Sequence, residues 1–233
     1  MAKLPIIEEM MAAGMHFGHN TSRWHPKMKP YIFGARRNVY IVDLEKSQKM
    51  LGIALAFIEN LTRESKTILF VGTKNQVKKN LKETALAIEM PYVSEKWMGG
   101  LLTNFAIFKK MIRKYRDLLE EKNAGKLDRY TKKERLEIER EIIRLETKVG
   151  GLVNLQKLPD ALFIWDLKNE KTAVAEAKVK NIPIVAICDT NVNPELANYP
   201  IPGNDDASKT ADLILSVIKE AVLDVKKAKT NLK

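Results

Sequence analysis

The chain has 233 residues, 45% of them hydrophobic: enough for one large α/β domain with an appendage, and too apolar for wholesale disorder. Lys and Arg outnumber Asp and Glu by 40 to 29, and a formal charge of +11 points to a polyanionic partner, nucleic acid above all, over the plainer alternative of a soluble basic protein. No run approaches the ~20 apolar residues of a membrane helix, Glu8 and Glu9 come too early for a signal or transit peptide, and the single Cys188 excludes a disulfide framework, so a soluble protein of a reducing intracellular compartment is expected.

In chain order, the first predicted helix is Pro5–Ala13. The segment from Met10 to Val42 then contains no acidic residue at all. Within it Arg23, Lys27, Lys29, Arg36 and Arg37 are interleaved with Trp24, His25, Tyr31 and Phe33, while Pro26 and Pro30 prevent a continuous helix. An extended basic loop is expected. Its cations would contact RNA phosphates, Trp24 would stack on bases or join the supporting frame, and Tyr31 and Phe33 would turn into the core. Short β-rich runs at Val39–Val42, Thr67–Val71, Pro91–Val93, Ala161–Trp165 and Ile184–Cys188 alternate with helical patterns at Leu44–Arg63, Gln76–Ile88, Glu170–Val179 and Ala207–Val225. That alternation predicts a parallel sheet with helices on both faces.

One stretch interrupts it. Phe105, Phe108, Ile112, Tyr115 and Leu119 are spaced 3-4-3-4, and Ile138, Ile142, Leu145 and Val149 are spaced 4-3-4, both coiled-coil seams. Asn123-Ala124-Gly125-Lys126 is a turn signal, and Thr131-Lys132-Lys133-Glu134 a capping box. The pattern predicts an inserted antiparallel hairpin over 105–149, with arms of about 18 residues and roughly 27 Å. It holds 14 basic and 9 acidic residues. Residues 1–104 and 150–226 would form the α/β unit, and 227–233 a basic tail. Lys96–Asn104, with the pair Gly99-Gly100, reads as a hinge for the hairpin or an RNA-contacting turn.

Familiar catalytic motifs are missing from the sequence. Gly72-Thr73-Lys74 follows a strand and precedes a helix, where doubly wound folds bind phosphates. The rival reading is therefore an enzyme taking a phosphorylated ligand there; the preferred one gives Lys74 to an RNA phosphate or to an ordinary turn. His16 and His19, with Asp189, Asp205 and Asp206, could contribute to a metal site, or the aspartates could form turns and caps, Asp206 capping the helix from Ala207.

Eight segments resemble one family in order and spacing. They are His16-Phe17-Gly18-His19, Trp24-x-Pro26-Lys27-Met28-x-Pro30-Tyr31-Ile32-Phe33, Leu69-Phe70-Val71-Gly72-Thr73-Lys74 and Gly99-Gly100-x-Leu102-Thr103-Asn104, then Thr131-Lys132-Lys133-Glu134, Leu158-Pro159-Asp160-Ala161-Leu162-Phe163, Asp189-Thr190-Asn191 and Ile201-Pro202-Gly203-Asn204-Asp205-Asp206. Together they are similar to the bacterial-type second protein of the small ribosomal subunit. The resemblance implies a Rossmann- or flavodoxin-like sheet with an inserted helical hairpin, and a structural, non-enzymatic role. It implies binding to small-subunit ribosomal RNA and to neighbouring subunit proteins, including the large flexible messenger-binding protein, with no membrane and no small-molecule substrate. RNA contacts are expected at Arg23, Trp24, Lys27, Lys29, Arg36, Arg37, Lys74, Lys96, Lys109, Lys110 and Arg113. No cofactor is required, but family members can hold a zinc ion, which His19, Asp189, Asp205 and Asp206 would match here. The implied location is the cytoplasm, within the ribosome, with an organellar ribosome left open.

Overall fold

The computed structural model describes residues 3–230. A small antiparallel sheet comes first: β1 (Phe17–Asn20), β2 (Ile32–Arg36) and β3 (Val39–Val42), in the order β1-β3-β2. The larger sheet contains β4 (Ile68–Val71), β5 (Tyr92–Val93), β6 (Ala161–Trp165), β7 (Ile184–Cys188) and β8 (Tyr199–Pro202), all parallel, in the order β5-β4-β6-β7-β8. This is a flavodoxin-like order, and the direction of winding reverses between β4 and β6. Every residue of β4, β6 and β7 is buried, so these strands read as unbroken apolar runs. Their residues alternate between faces, Leu69, Val71, Leu162 and Ile164 in one apolar cluster and Ile68, Phe70, Phe163 and Trp165 in the other.

The helices are α1 (Ile7–Ala12), α2 (Leu44–Arg63), α3 (Lys78–Ala87), α4 (Phe105–Asn123), α5 (Lys132–Val149), α6 (Lys171–Val179) and α7 (Ser208–Thr230). Leu51 and Ile58 of α2, Leu81 of α3, and Ile214 and Ile218 of α7 cover one face of the parallel sheet. Val174 and Ala177 of α6 cover the other, joined by Phe108, Ile112, Leu145 and Val149 from the roots of α4 and α5. Between α4 and α5, Gly125 takes a left-handed φ of 67°, and Thr131 opens α5 with the expected reciprocal capping box. Of the seam residues, Phe108, Ile112, Tyr115, Ile142, Leu145 and Val149 are buried, while Phe105, Leu119 and Ile138 are only half-buried against the same cluster. Among the described residues no helix is long and apolar enough to cross a membrane.

Three expectations need correction. Val39–Val42 is a strand of the antiparallel sheet, paired with β1 and β2 rather than with the parallel set. β8 was not foreseen because Pro200 and Pro202 argue against a strand; it lies at the sheet edge, where the missing N–H groups cost no ladder bond. The basic tail expected over 227–233 does not begin at 227, since α7 continues to Thr230, while 231–233 lie outside the described residues. Lys226 Nζ donates to the carbonyl of Ile88 at 2.7 Å and Lys229 Nζ to that of Thr62 at 3.1 Å, so these lysines satisfy the C-terminal ends of α3 and α2.

Candidate nucleic-acid interface

The acid-free segment is built more tightly than an extended loop. It forms two 3-10 turns, Thr21–Arg23 and Pro26–Tyr31, before entering β2. The Asn20 side chain accepts from Ser22 N at 3.0 Å and His25 Nδ1 from Lys27 N at 3.2 Å, capping the two turns. Arg37 and Asn38, with φ of 49° and 61°, make the two-residue left-handed turn that joins β2 to β3. Met28 is fully buried against the parallel sheet. His25 N donates to Thr190 O, and His19 N to Thr190 Oγ1, each at 2.8 Å. A Cβ on Gly18 would lie 2.5 Å from Thr190 Cγ2, so only glycine permits this approach.

On that frame Arg23, Lys29, Arg36 and Arg37 are exposed, and none has an ion-pair partner among the described residues. Lys27 is exposed too but pairs with Glu195. Trp24 is half-buried with its ring 5.2 Å from Tyr40, which puts it in the frame. Tyr31 packs against the core as expected. Phe33 does not: it is 81% exposed on β2.

At the carboxyl ends of β4 and β6, where doubly wound sheets form their crevice, the structure gathers His19, Lys74, Asp166, Asp189, Asp205 and Asp206. Lys74 Nζ lies 2.6 Å from Asp205, 2.7 Å from Asp206 and 2.9 Å from Asp166. Burial would lower its pKa, but the three carboxylates raise it well above the ordinary lysine value. Burial also raises the carboxyl of Asp205 to about 7, with Asp166 and Asp189 adding to the effect. Lys74 is therefore committed to acids, which corrects its assignment to an RNA phosphate. The same carboxylates would repel a phosphorylated ligand, so the rival enzyme reading also fails on electrostatic grounds. Gly72 serves packing instead: a Cβ there would meet Leu81 at 2.7 Å and Trp165 at 3.1 Å. Asp206 pairs with Lys74 and with His19 rather than acting as the expected helix cap.

The four residues matched to zinc do come together. His19 Nδ1 is 3.1 Å from Asp189, which raises the His19 pKa, while Nε2 is 3.6 Å from Asp206. The Asp189 and Asp206 carboxylates thus face opposite nitrogens of the ring, and the ammonium of Lys74 bridges Asp205 and Asp206. Asp205 Oδ2 is buried without a hydrogen-bond partner, yet the donors do not converge on one point, and no metal-binding group occurs among the described residues. As arranged, these residues do not fit a zinc ion.

A residue that sequence reasoning missed organises the hairpin root. Glu176, buried on α6, accepts from Trp97 Nε1 at 3.0 Å, Gly100 N at 2.8 Å, Leu102 N at 2.9 Å, and both N (3.1 Å) and Oγ1 (3.2 Å) of Thr103. The Gly99-Gly100 loop is consequently fastened, not a slack hinge. The only prior signal was a carboxylate among Ala173, Val174 and Ala177 on the inward face of a helix. Just outside this clamp Lys96, Lys109, Lys110 and Arg113 are exposed.

Fold and site together are those of an α/β protein with an inserted helical hairpin and a cationic surface. The family model described as ribosomal protein S2 matches residues 10–225. The chain is 44% identical over 218 residues to the small ribosomal subunit protein uS2 of Helicobacter acinonychis (strain Sheeba), covering 94% of this chain and 89% of that one. It is 43% identical over 218 residues to the protein of the same name from Coprothermobacter proteolyticus, with coverages of 94% and 81%. For the one from Sulfurimonas denitrificans the identity is 45% over 216 residues, with coverages of 93% and 83%. The chain belongs to the ribosomal protein S2 family. It is accordingly a ribosomal structural protein, cytoplasmic as part of that particle, and not an enzyme.

Proposed function

We propose that the chain binds small-subunit ribosomal RNA through the acid-free segment and the cations around the hairpin root, and helps seat neighbouring subunit proteins. The observation that carries the reading is the row Arg23, Lys29, Arg36 and Arg37, exposed and without carboxylate partners among the described residues, on a frame anchored by Met28 and Thr190. Phosphates gain most from such cations because releasing condensed counterions favours binding. Lys96, Lys109, Lys110 and Arg113 extend the same chemistry; Lys27 contributes if RNA displaces Glu195, and Trp24 acts as support.

Substituting Arg23, Arg36 and Arg37 together by Gln tests this. The slope of log affinity for small-subunit RNA against log salt is expected to flatten by about 2 to 3. Unchanged affinity and slope would defeat the reading.

For neighbouring proteins the supporting feature is apolar. Phe33, Phe17, Met11 and Ile6 are 81%, 50%, 53% and 49% exposed. Beside them a cavity of about 320 Å³ is lined by Ile7, Met11, His16, Phe33, Ile41 and Leu44, and His16 Nδ1 is buried there without a hydrogen-bond partner. A patch of this kind marks a protein interface, and the large flexible messenger-binding protein is the partner the reading assigns to it. Phe33→Ala is expected to lower retention of that protein on assembled subunits several-fold while leaving RNA affinity unchanged, measured by co-sedimentation.

A further inference from the structure

Thr190 lies two residues past the end of β7, fully buried, where the large sheet meets the small one. Its hydroxyl can serve its neighbours in only one way. The carboxylate of Asp189 accepts and the backbone N–H of His19 donates. The single hydroxyl proton therefore goes to Asp189 Oδ1 at 3.0 Å, and the oxygen takes the His19 N–H at 2.8 Å. The carbonyl of the same residue takes the His25 N–H, also at 2.8 Å.

One buried residue thus holds both feet of a short arch, residues 19–25. Arg23, exposed and without an ion-pair partner among the described residues, stands on that arch next to Trp24, whose ring rests against Tyr40. Each foot also sits at the start of a turn. Asn20, beside the first foot, caps Thr21–Arg23, and His25, the second foot, caps Pro26–Tyr31. The two bonds to Thr190 consequently fix where both turns begin, and with them Arg23, Lys27 and Lys29. Valine would fill the same volume beside Gly18 but would leave the His19 N–H without its acceptor. The first foot would then be free. An arch loose at one foot has to be ordered when it binds, and that ordering weakens association even though no cation is lost.

We propose that Thr190 is a positioning residue for RNA binding: its hydroxyl pre-organises the 19–25 arch, although Thr190 itself is buried out of reach of any ligand. The inference rests on the RNA-binding reading above and adds a residue that acts without touching RNA.

Full-length Thr190→Val and Thr190→Ser are compared with the parent and with the Arg23, Arg36 and Arg37 set. Each is titrated with small-subunit ribosomal RNA between about 50 and 200 mM salt, well below its melting temperature. Thr190→Val is expected to raise Kd at least about fivefold while its salt slope stays within about 0.5 of the parent's, because every cation is kept. Thr190→Ser keeps the hydroxyl but leaves a methyl-sized gap, and should bind within about twofold of the parent despite a lower melting temperature. A merely structural role would instead rank the affinities as the melting temperatures. Parent-like binding by the valine variant overturns the proposal. Serine binding as weakly as valine also overturns it, and hands the role to the methyl group. Should the valine variant not fold, hydrogen exchange of the unbound parent decides. The His19 amide is expected to exchange at least about a hundredfold more slowly than an unprotected amide, and an unprotected rate overturns the positioning role. Failure of the arginine set to weaken binding defeats the RNA reading itself, whereas failure of the valine variant alone defeats only the part assigned to Thr190.

Discussion

Glu176→Ala is expected to lower the stability of the protein by about 4 kcal/mol and to loosen the hairpin from the sheet. The substitution leaves the Trp97 indole N–H and the amides of Gly100, Leu102 and Thr103 without their acceptor, and each buried donor left unsatisfied costs roughly 1–3 kcal/mol. At this chain length the loss corresponds to a fall in melting temperature of about 10 °C. Glu176→Gln keeps the shape but gives up the charge and should recover only part of the loss. Burial alone would push the Glu176 carboxyl up, but its donors hold it below the usual glutamate value. A depressed carboxyl contributes stability above its unfolded pKa of 4.5 and loses it as pH falls through the lower folded value. The gap between parent and Gln variant should therefore be full at pH 7 and close in acid. A gap that stays constant from pH 7 to 3 would mean that the charge of Glu176 contributes nothing.

Lys74→Ala is the second large effect. It leaves Asp166, Asp205 and Asp206 without the ammonium they share, the first two nearly fully buried, and removing one partner of a buried ionic cluster costs about 3–5 kcal/mol. The pH dependence runs opposite to that of Glu176. Asp205 already has its pKa raised to about 7, so the folded state takes up a proton more readily than the unfolded chain, and lowering the pH favours folding. Without Lys74 the raised pKa moves further up. The variant should be least stable above pH 8 and regain stability relative to the parent as the pH drops through 7 towards 5. Thermal melts across that range check it, and a deficit that grows towards acid would refute the electrostatic account. RNA affinity at constant folded fraction should be unchanged, because this lysine faces acids.

The helices and buried strands were legible because their signals are local. Periods of 3.6 and short runs of consecutive apolar residues gave α2, β4, β6 and β7, and the Thr131–Glu134 box marked the start of α5. The acid-free segment was legible as composition, not as shape: its 3-10 turns depend on capping by Asn20 and His25 and on anchorage to Thr190, about 170 residues away. Phe33 misled because an aromatic beside Ile32 looks like core, whereas the alternation of β2 turns it outward. The two acidic centres were illegible for a related reason. Glu176 meets donors 73 to 79 positions earlier, and Lys74 meets carboxylates up to 132 positions later. One-dimensional pattern carries no signal for such pairings. It could only note that Lys74 stood where phosphates usually bind, and the fold brings Asp166 and Asp205 to the same place.

The two lysine fastenings of α7 bear on the order in which the molecule assembles. The bond from Lys229 to Thr62 spans 167 residues and that from Lys226 to Ile88 spans 138, whereas the Lys114–Glu141 pair across the hairpin spans 27. Short loops close at lower entropic cost and sooner than long ones. The arms of the hairpin can zip early, while the face formed by α2, α3 and α7 stays open until distant segments meet. Until then the apolar sides of α2 and α3 are available to chaperones or to aggregation, and the closure of α7 over them is the step that withdraws them.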